Sequence, residues 1–419
     1  MGLRSARAPL LALVLLVVGA ARGDAEEPPA FLVERIVVEG LARPSAQQIV
    51  VSESLLRAGN SYSEGELRAA VYRVKRLLWV VDADMALRRG STRGAYELVI
   101  VVEAAKPVAF SVNAGGLYSR PDAEEDDGGY DGLDFGASLT ASGRKFIGSR
   151  GLLFGSAQAF DNDVGTVALQ LGYTTYGLFG NGSSATAAIS RGVGDRYDDD
   201  NLQASLQLDI PLGGNHALRT SATWSTAEGR TEFFGGFSES GFEQWRAELE
   251  WLYDSTDDPL FATAGRRLNT LAVYEDARRH FRFVRDDLGD GGLDSDERFD
   301  RRAWGLDTQG RQYWSLTPQQ SLGVGAGVFH VDDLELDGSA TSLNVEAIHA
   351  VNLWDFATRR RRGDLRLETV AAVRSWRYSG GVGARETIDG RLDLSLLFRN
   401  AWGVIRLTFT YYDSLGEDR

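Results

Sequence analysis

The chain has 419 residues, no cysteine, four histidines and a net charge of −14. Without cysteine there is no disulfide, no thiolate metal site and no lipid-anchored cysteine start, and the acidic balance argues against a nucleic-acid partner, which would need a basic face. No run of eighteen apolar residues occurs beyond the amino terminus, so no membrane-spanning helix is expected. A composition of 43% hydrophobic and 10% aromatic residues does suit a membrane β-barrel, whose strands turn only every second residue to lipid.

Residues 1–23 read as a secretory leader. Arg4 and Arg7 supply a basic start, and Pro9–Val18 is an apolar core too short to span a bilayer. Ala21 and Gly23 suit cleavage before Asp24, with cleavage after Ala20 nearly as good. Residues 24–30 are a linker. A small α+β domain is predicted over 31–107. It opens with an extended run, Phe31–Leu41, and continues with an amphipathic helical run, Ser45–Leu56. A second helix starts on the capping-box pattern Ser63-Glu-Gly-Glu66. Two further extended runs, Val80–Leu87 and Tyr96–Glu103, complete a β-α-α-β-β order.

From Pro107 onward period-2 alternation replaces helical periodicity, predicting an antiparallel transmembrane β-barrel over 108–419. Leu202, Ala204, Leu206, Leu208 and Ile210 share one face, and Gln203, Ser205, Gln207 and Asp209 the other. Trp245, Ala247, Leu249, Trp251 and Tyr253 alternate with Arg246, Glu248, Glu250 and Leu252. About fifteen candidate strands can be marked, and bacterial single-chain barrels have even numbers. Dividing the long run 381–398 gives about 16 strands, with fourteen as an alternative. Long acidic or Gly-rich connections near 119–131, 193–200, 227–241, 276–301 and 332–341 read as extracellular. Tight ones near 177–183, 211–216 and 316–320 read as periplasmic turns. Trp224, Trp251, Trp304, Trp314, Trp354, Trp376 and Trp402 lie near strand ends, as interfacial girdles require.

The order of elements over 31–107, with Val-Glu-Gly closing the first strand and Leu-Arg-Arg-Gly the second, resembles a POTRA domain. Such domains precede outer-membrane barrels of the Omp85 superfamily. Two barrel segments add to the resemblance. Asp254-Ser-Thr-Asp-Asp-Pro-Leu-Phe-Ala-Thr-Ala-Gly-Arg266 resembles that superfamily's acidic, Pro-Leu-Phe-Pro-Thr, Gly turn, with Ala262 in place of the second proline. Leu178-Phe-Gly-Asn-Gly182 resembles its Phe-Gly-x-Gly periplasmic turn. Phe409, Tyr411 and Tyr412 resemble the terminal insertion signal of outer-membrane proteins, although a polar tail follows. The superfamily's Val-Arg-Gly-Phe or Val-Arg-Gly-Tyr tetrapeptide is missing. The nearest fragments, Ser149-Arg-Gly151 and Ser190-Arg-Gly192, come too early in the barrel.

The resemblance implies a bacterial outer-membrane protein with a periplasmic domain that captures a client polypeptide by strand addition, with Val80–Leu87 as the favoured edge. The barrel then translocates the client or assists its insertion in the membrane. Two alternatives stay open: a passive porin-like or structural barrel, and a dedicated two-partner secretion exporter. Outer-membrane lipid and a client polypeptide are the expected partners. Arg246, Glu248, Glu250, Asp307, Arg311, Glu346, Arg366 and Glu368 are the candidate lumen charges, setting electrostatics rather than performing chemistry.

Catalysis is not expected, because His216, His280, His330 and His349 are scattered and no cysteine is present. No cofactor is expected either. Asp286–Glu297 matches a calcium loop at several positions, but Leu288 supplies no ligand where one is needed, and a solvated acidic loop is the stronger reading. The acidic run Asp122–Asp127 is read as solvated too. The basic run Arg359–Arg362 falls in a predicted periplasmic turn, where a solvated turn is favoured over contact with anionic headgroups.

Overall fold

The computed structural model describes residues 30–418 except 78, 120–132, 162–166, 180–181, 194–199, 214, 234–235, 260, 286–294, 334–337, 359–360 and 380–384. The leader, most of the linker, the acidic run Asp122–Asp127 and most of the calcium-like segment lie outside the described residues.

The first unit comprises β1 (Ala30–Glu39), α1 (Pro44–Ser54), β2 (Asn60–Ser63), α2 (Glu64–Lys75), β3 (Val80–Arg89) and β4 (Ala95–Ala104). Its sheet has the order β2-β1-β4-β3, with β1 parallel to β4 and the other pairs antiparallel. The capping box forms as read: the Glu66 N–H donates to the Ser63 hydroxyl, and the Ser63 N–H donates to the Glu66 carboxylate at 2.7 Å. Gly40 has φ +89, and a Cβ there would meet the Val102 carbonyl oxygen at 2.1 Å, so the turn after β1 requires glycine. Both helices press on one face of the sheet. Val33, Ile49, Leu67, Val74, Trp79, Leu98 and Ile100 are buried there, each contributing about 1.5–3 kcal/mol of apolar burial. The short strand β2 is not predicted by the sequence, since Asn-Ser-Tyr-Ser carries no apolar alternation.

The second unit is a closed barrel. Its strands are β5 (Val108–Ser119), β6 (Leu133–Ile147), β7 (Gly151–Asp161), β8 (Val167–Tyr176), β9 (Ser184–Val193), β10 (Asp200–Gly213), β11 (His216–Phe233) and β12 (Gly236–Asp254). They continue through β13 (Gly265–Arg285), β14 (Ser295–Thr317), β15 (Gln320–Asp333), β16 (Gly338–Thr358), β17 (Arg361–Ser379), β18 (Arg385–Asn400) and β19 (Gly403–Asp418). That makes fifteen described strands rather than sixteen. The 381–398 run does not divide, because β18 pairs without a break with β17 from Arg385 to Asn400. An odd number makes the first and last strands run the same way. The barrel accordingly closes by a parallel pair, from Phe110↔Gly403 to Ser119↔Tyr412. The last strand therefore runs away from the first unit, which also moves Phe409 and Tyr411 off the placement that the terminal-signal resemblance implied. Gly403 opens this seam at φ +144, where a Cβ would lie 1.6 Å from the Phe110 carbonyl oxygen.

The wall is uneven in height. Strands β5 to β9 have 10–15 residues, whereas β11 to β14 have 18–23. At ~3.4 Å per residue and ~40° tilt, ten residues rise about 26 Å, while twenty-one rise about 55 Å. The segments 227–241 and 276–301, expected as loops, are mostly extensions of these tall hairpins, paired from Glu228↔Gly241 to Phe233↔Gly236 and from Asp276↔Arg302 to Phe283↔Ser295. Around the outside runs an apolar band on alternate positions, including Phe135, Leu139, Leu171, Leu206, Leu249, Tyr274, Val345, Leu392 and Leu407, all exposed. A continuous exposed apolar surface of this extent is not sustained in water and matches a bilayer. Trp245 and Trp304 edge the band at one level, and Trp314, Trp354 and Trp402 at the other. Trp376 does not belong to a girdle: it takes the inner parity of Arg374 and stacks on Tyr378.

Candidate functional site

The face opposite the apolar band is the lumen, and directly paired residues on neighbouring strands share a face. All eight sequence-proposed charges take the inner parity. They separate into local groups. Arg246 donates to Glu248 at 2.7 Å, Arg311 to Glu346 at 2.5 Å, and Arg366 lies 3.2 Å from Glu368. Glu250 instead pairs with Arg219 at 2.9 Å, and Arg219 also holds Asp209 at 2.7 Å. Asp307 accepts a hydrogen bond from Gln309 at 2.8 Å. Room for the Arg311–Glu346 pair comes from Gly325 on β15, between them, where a Cβ would meet Glu346 Oε1 at 2.4 Å.

The connection between β12 and β13 does not turn back at the rim. The described residues of this connection, 255–259 and 261–264, fold inward and reach the far wall. Asp258 accepts two hydrogen bonds from Arg399 of β18, each at 3.1 Å, and Arg399 also donates to Asp364 of β17 at 2.6 Å. The Phe261 ring lies under two guanidinium groups, 4.4 Å from Arg399 and 5.7 Å from Arg366. Arg366 donates twice to the Ala262 carbonyl, at 3.1 and 3.2 Å, and Ala262 packs with Tyr313 and Ile348. The acidic residues of the segment shape it from within: Asp257 accepts from the Thr263 and Ala264 N–H groups, and Asp258 from the Phe261 N–H. Gly265, at φ +102, lets the chain re-enter β13 against the Ser255 carbonyl.

The first unit is seated on the same mouth. Tyr72 of α2 donates to Asp254 at 2.5 Å and accepts from Thr256 at 2.9 Å, while Arg267 of β13 holds Asp254 at 2.8 Å. Burial, then the charge of Asp254, pushes the Tyr72 hydroxyl up to about 12. Leu152 and Tyr176 of the barrel complete the core of the first unit, and Trp79 meets Phe146 edge-on at 5.1 Å. Glu53 of α1 is half-buried at this joint, and its Oε1 atom is buried with no hydrogen-bond partner among the described residues. Burial, and next the charge of Asp209, push its carboxyl up to about 8, against the opposing pull of Arg73 and Arg76. A cavity of about 190 Å³ separates these groups from Arg219. Tyr72, Thr256, Asp254 and Arg267 thus join α2, the inserted segment and the lumen wall in one hydrogen-bonded group. Among the described residues no group of three His, Asp or Glu side chains is placed to hold a metal ion.

Sequence reading missed Arg219, Arg267, Arg399 and Tyr72. Asp209 was assigned to the polar face of its strand, but nothing local linked it to Arg219. The acidic Asp254–Asp258 run was singled out as a turn, and its insertion was not foreseen.

No protein-family model matches the chain, and no curated protein matches it. Among solved structures it is similar to BamA from Haemophilus ducreyi lacking POTRA domains 1–3, at 10% identity and a TM-score of 0.40, covering 88% of this chain and 84% of that one. It is also similar to CdiB from Acinetobacter baumannii, at 11% identity and a TM-score of 0.39, covering 88% and 67%. The ferric citrate transporter FecA in the unliganded form follows, at 11% identity and a TM-score of 0.34, covering 76% and 57%.

Proposed function

We propose that this chain is an outer-membrane barrel of the Omp85 type, with the first unit in the periplasm. There it takes an extended segment of a client polypeptide by strand addition and presents it to the barrel for translocation or membrane insertion. The observation that carries the reading is the division of labour within the first unit. Its α2 side is fixed to the barrel mouth through Tyr72 and Asp254, while β3 is an edge strand paired only with β4. An unpaired strand edge templates another strand, and Asp84, Ala86 and Arg88 stand exposed along it. The passive-pore alternative is disfavoured by the inserted segment, which crosses the mouth from β12 to β18.

The test is single-channel conductance of the refolded protein, intact and lacking residues 31–107, combined with photo-crosslinking from Ala86 in cells. A small conductance that changes on deletion, with crosslinks to an exported or membrane-bound polypeptide, is expected. A large steady conductance indifferent to the deletion would sink the reading in favour of a pore.

A further inference from the structure

A second cavity, distinct from the polar joint, opens between the outer side of the first unit and the barrel rim. It is a cleft of about 1060 Å³ bounded by β1, α1 and the β10–β11 turn. Val38, Val51, Leu55 and Leu212 give it apolar walls, and Arg57 and Arg150 stand at it. In a chain of net charge −14, no aspartate or glutamate lines it among the described residues. The volume exceeds that of a packing defect and falls at the upper end for a ligand site. Position supplies the second argument. Leu212 is 57% exposed and lies on the strand whose Leu206 is part of the outer apolar band. The neighbouring β8–β9 turn carries Leu178 and Phe179, the latter 67% exposed, and touches the end of α1: a Cβ on Gly182 would lie 2.7 Å from Leu55. Exposed apolar side chains of the barrel therefore lead to the cleft, and the charged groups that line it among the described residues are Arg57 and Arg150.

We propose that this cleft binds one anionic glycerophospholipid from the adjoining leaflet. An acyl chain would lie along Val51, Leu55 and Leu212, and the headgroup phosphate would meet Arg57 and Arg150. The proposal rests on the membrane reading of the barrel. Arg150 also donates to the Gly177 carbonyl at 3.0 Å and so fixes the β8–β9 turn. Arg57 is exposed and is the residue to change.

The full chain would be placed in nanodiscs of phosphatidylethanolamine with phosphatidylglycerol, extracted in mild detergent and examined by native mass spectrometry. One retained phosphatidylglycerol is expected, at least fivefold reduced in Arg57→Glu and in Leu212→Asp and kept in Arg57→Lys. Resistance of the barrel to proteolysis, measured on the same samples, reports insertion. Inserted protein that retains phosphatidylethanolamine equally, keeps its lipid in both variants, or carries a bound peptide mass instead overturns the proposal alone. Protein that fails to insert overturns the membrane reading with it.

Discussion

The wall formed by β5–β9 and the wall formed by β11–β18 belong to one closed sheet, yet they fill their share of the lumen by different means. Between Gly151 and Ser190 the only charged residues in the sequence are Asp161 and Asp163. The inner positions there carry hydroxyls and amides. Thr174 and Thr186 hydrogen-bond at 2.9 Å, and Ser156 reaches Gln170 at 3.4 Å. The taller wall carries several arginine–carboxylate pairs, and among the described residues it supplies the barrel side chains Arg267, Arg366 and Arg399 that hold the inserted segment. The short wall instead receives Trp79 and the packed helices through Phe146, Leu152 and Tyr176. A lumen closed from one side by ions and from the other by apolar docking has two separable locks, and each can be broken on its own.

The ionic lock carries the largest expected effect. Arg399→Ala removes the guanidinium that pairs with both Asp258 and Asp364, two largely buried carboxylates. Breaking a buried pair from one side costs about 3–5 kcal/mol. The expected outcome is a lowered guanidinium midpoint for the refolded barrel together with a larger conductance, because Phe261 loses its nearer cation. An unchanged midpoint and conductance would show that the inserted segment is held in place without Arg399.

Next comes a pH effect at the joint. Folded Glu53 keeps its proton to about pH 8, whereas a solvated glutamate releases it near its model value of 4.5. Between those limits the docked state binds more protons than the undocked one, so its stability falls as pH rises, by at most about 1.4 kcal/mol per pH unit, and levels off above pH 8. Hydrogen exchange of α1 should quicken from pH 5 to pH 8 beyond the intrinsic base-catalysed rate. Glu53→Gln should abolish that excess, and a surviving excess would assign it elsewhere.

Tyr72→Phe tests the link between the two locks. It removes a hydrogen bond to Asp254 and one from Thr256, while Arg267 still neutralises the carboxylate, so a loss of about 1–3 kcal/mol is expected. Thermal scanning would show the first unit loosening ahead of the barrel. A single transition shifted as a whole would mean that the two units unfold together.

How much of this was legible beforehand differs between the same two walls. Alternation from Leu202 to Ile210 places each of those nine side chains on its correct face, because a half-buried strand must alternate. The capping box at Ser63 and the inner parity of Glu248, Arg311 and Glu368 are readable for the same local reason. Parity names a face and not a partner. Asp258 and Arg399 are 141 residues apart, and Tyr72 and Asp254 are 182 apart, so barrel closure brings the first pair together and docking of the first unit the second. The tall extensions were read as loops because nothing above the apolar band enforces alternation. Arg278 and Arg279, or Asp300, Arg301 and Arg302, are charged on both faces and pair all the same.

The smallest effect addresses the neutral wall itself. Thr186→Val keeps the shape of the side chain and removes one hydroxyl from the pair with Thr174, which is 3% exposed. A buried hydroxyl left without its partner costs about 1–3 kcal/mol, reduced here to the lower end because it can rotate toward other acceptors in the polar lumen. The guanidinium midpoint should therefore drop by a fraction of the Arg399→Ala effect, with the conductance unchanged. A conductance change of similar size in both variants would show that the hydroxyl wall also holds the mouth shut, and the division into an ionic and an apolar lock would fail.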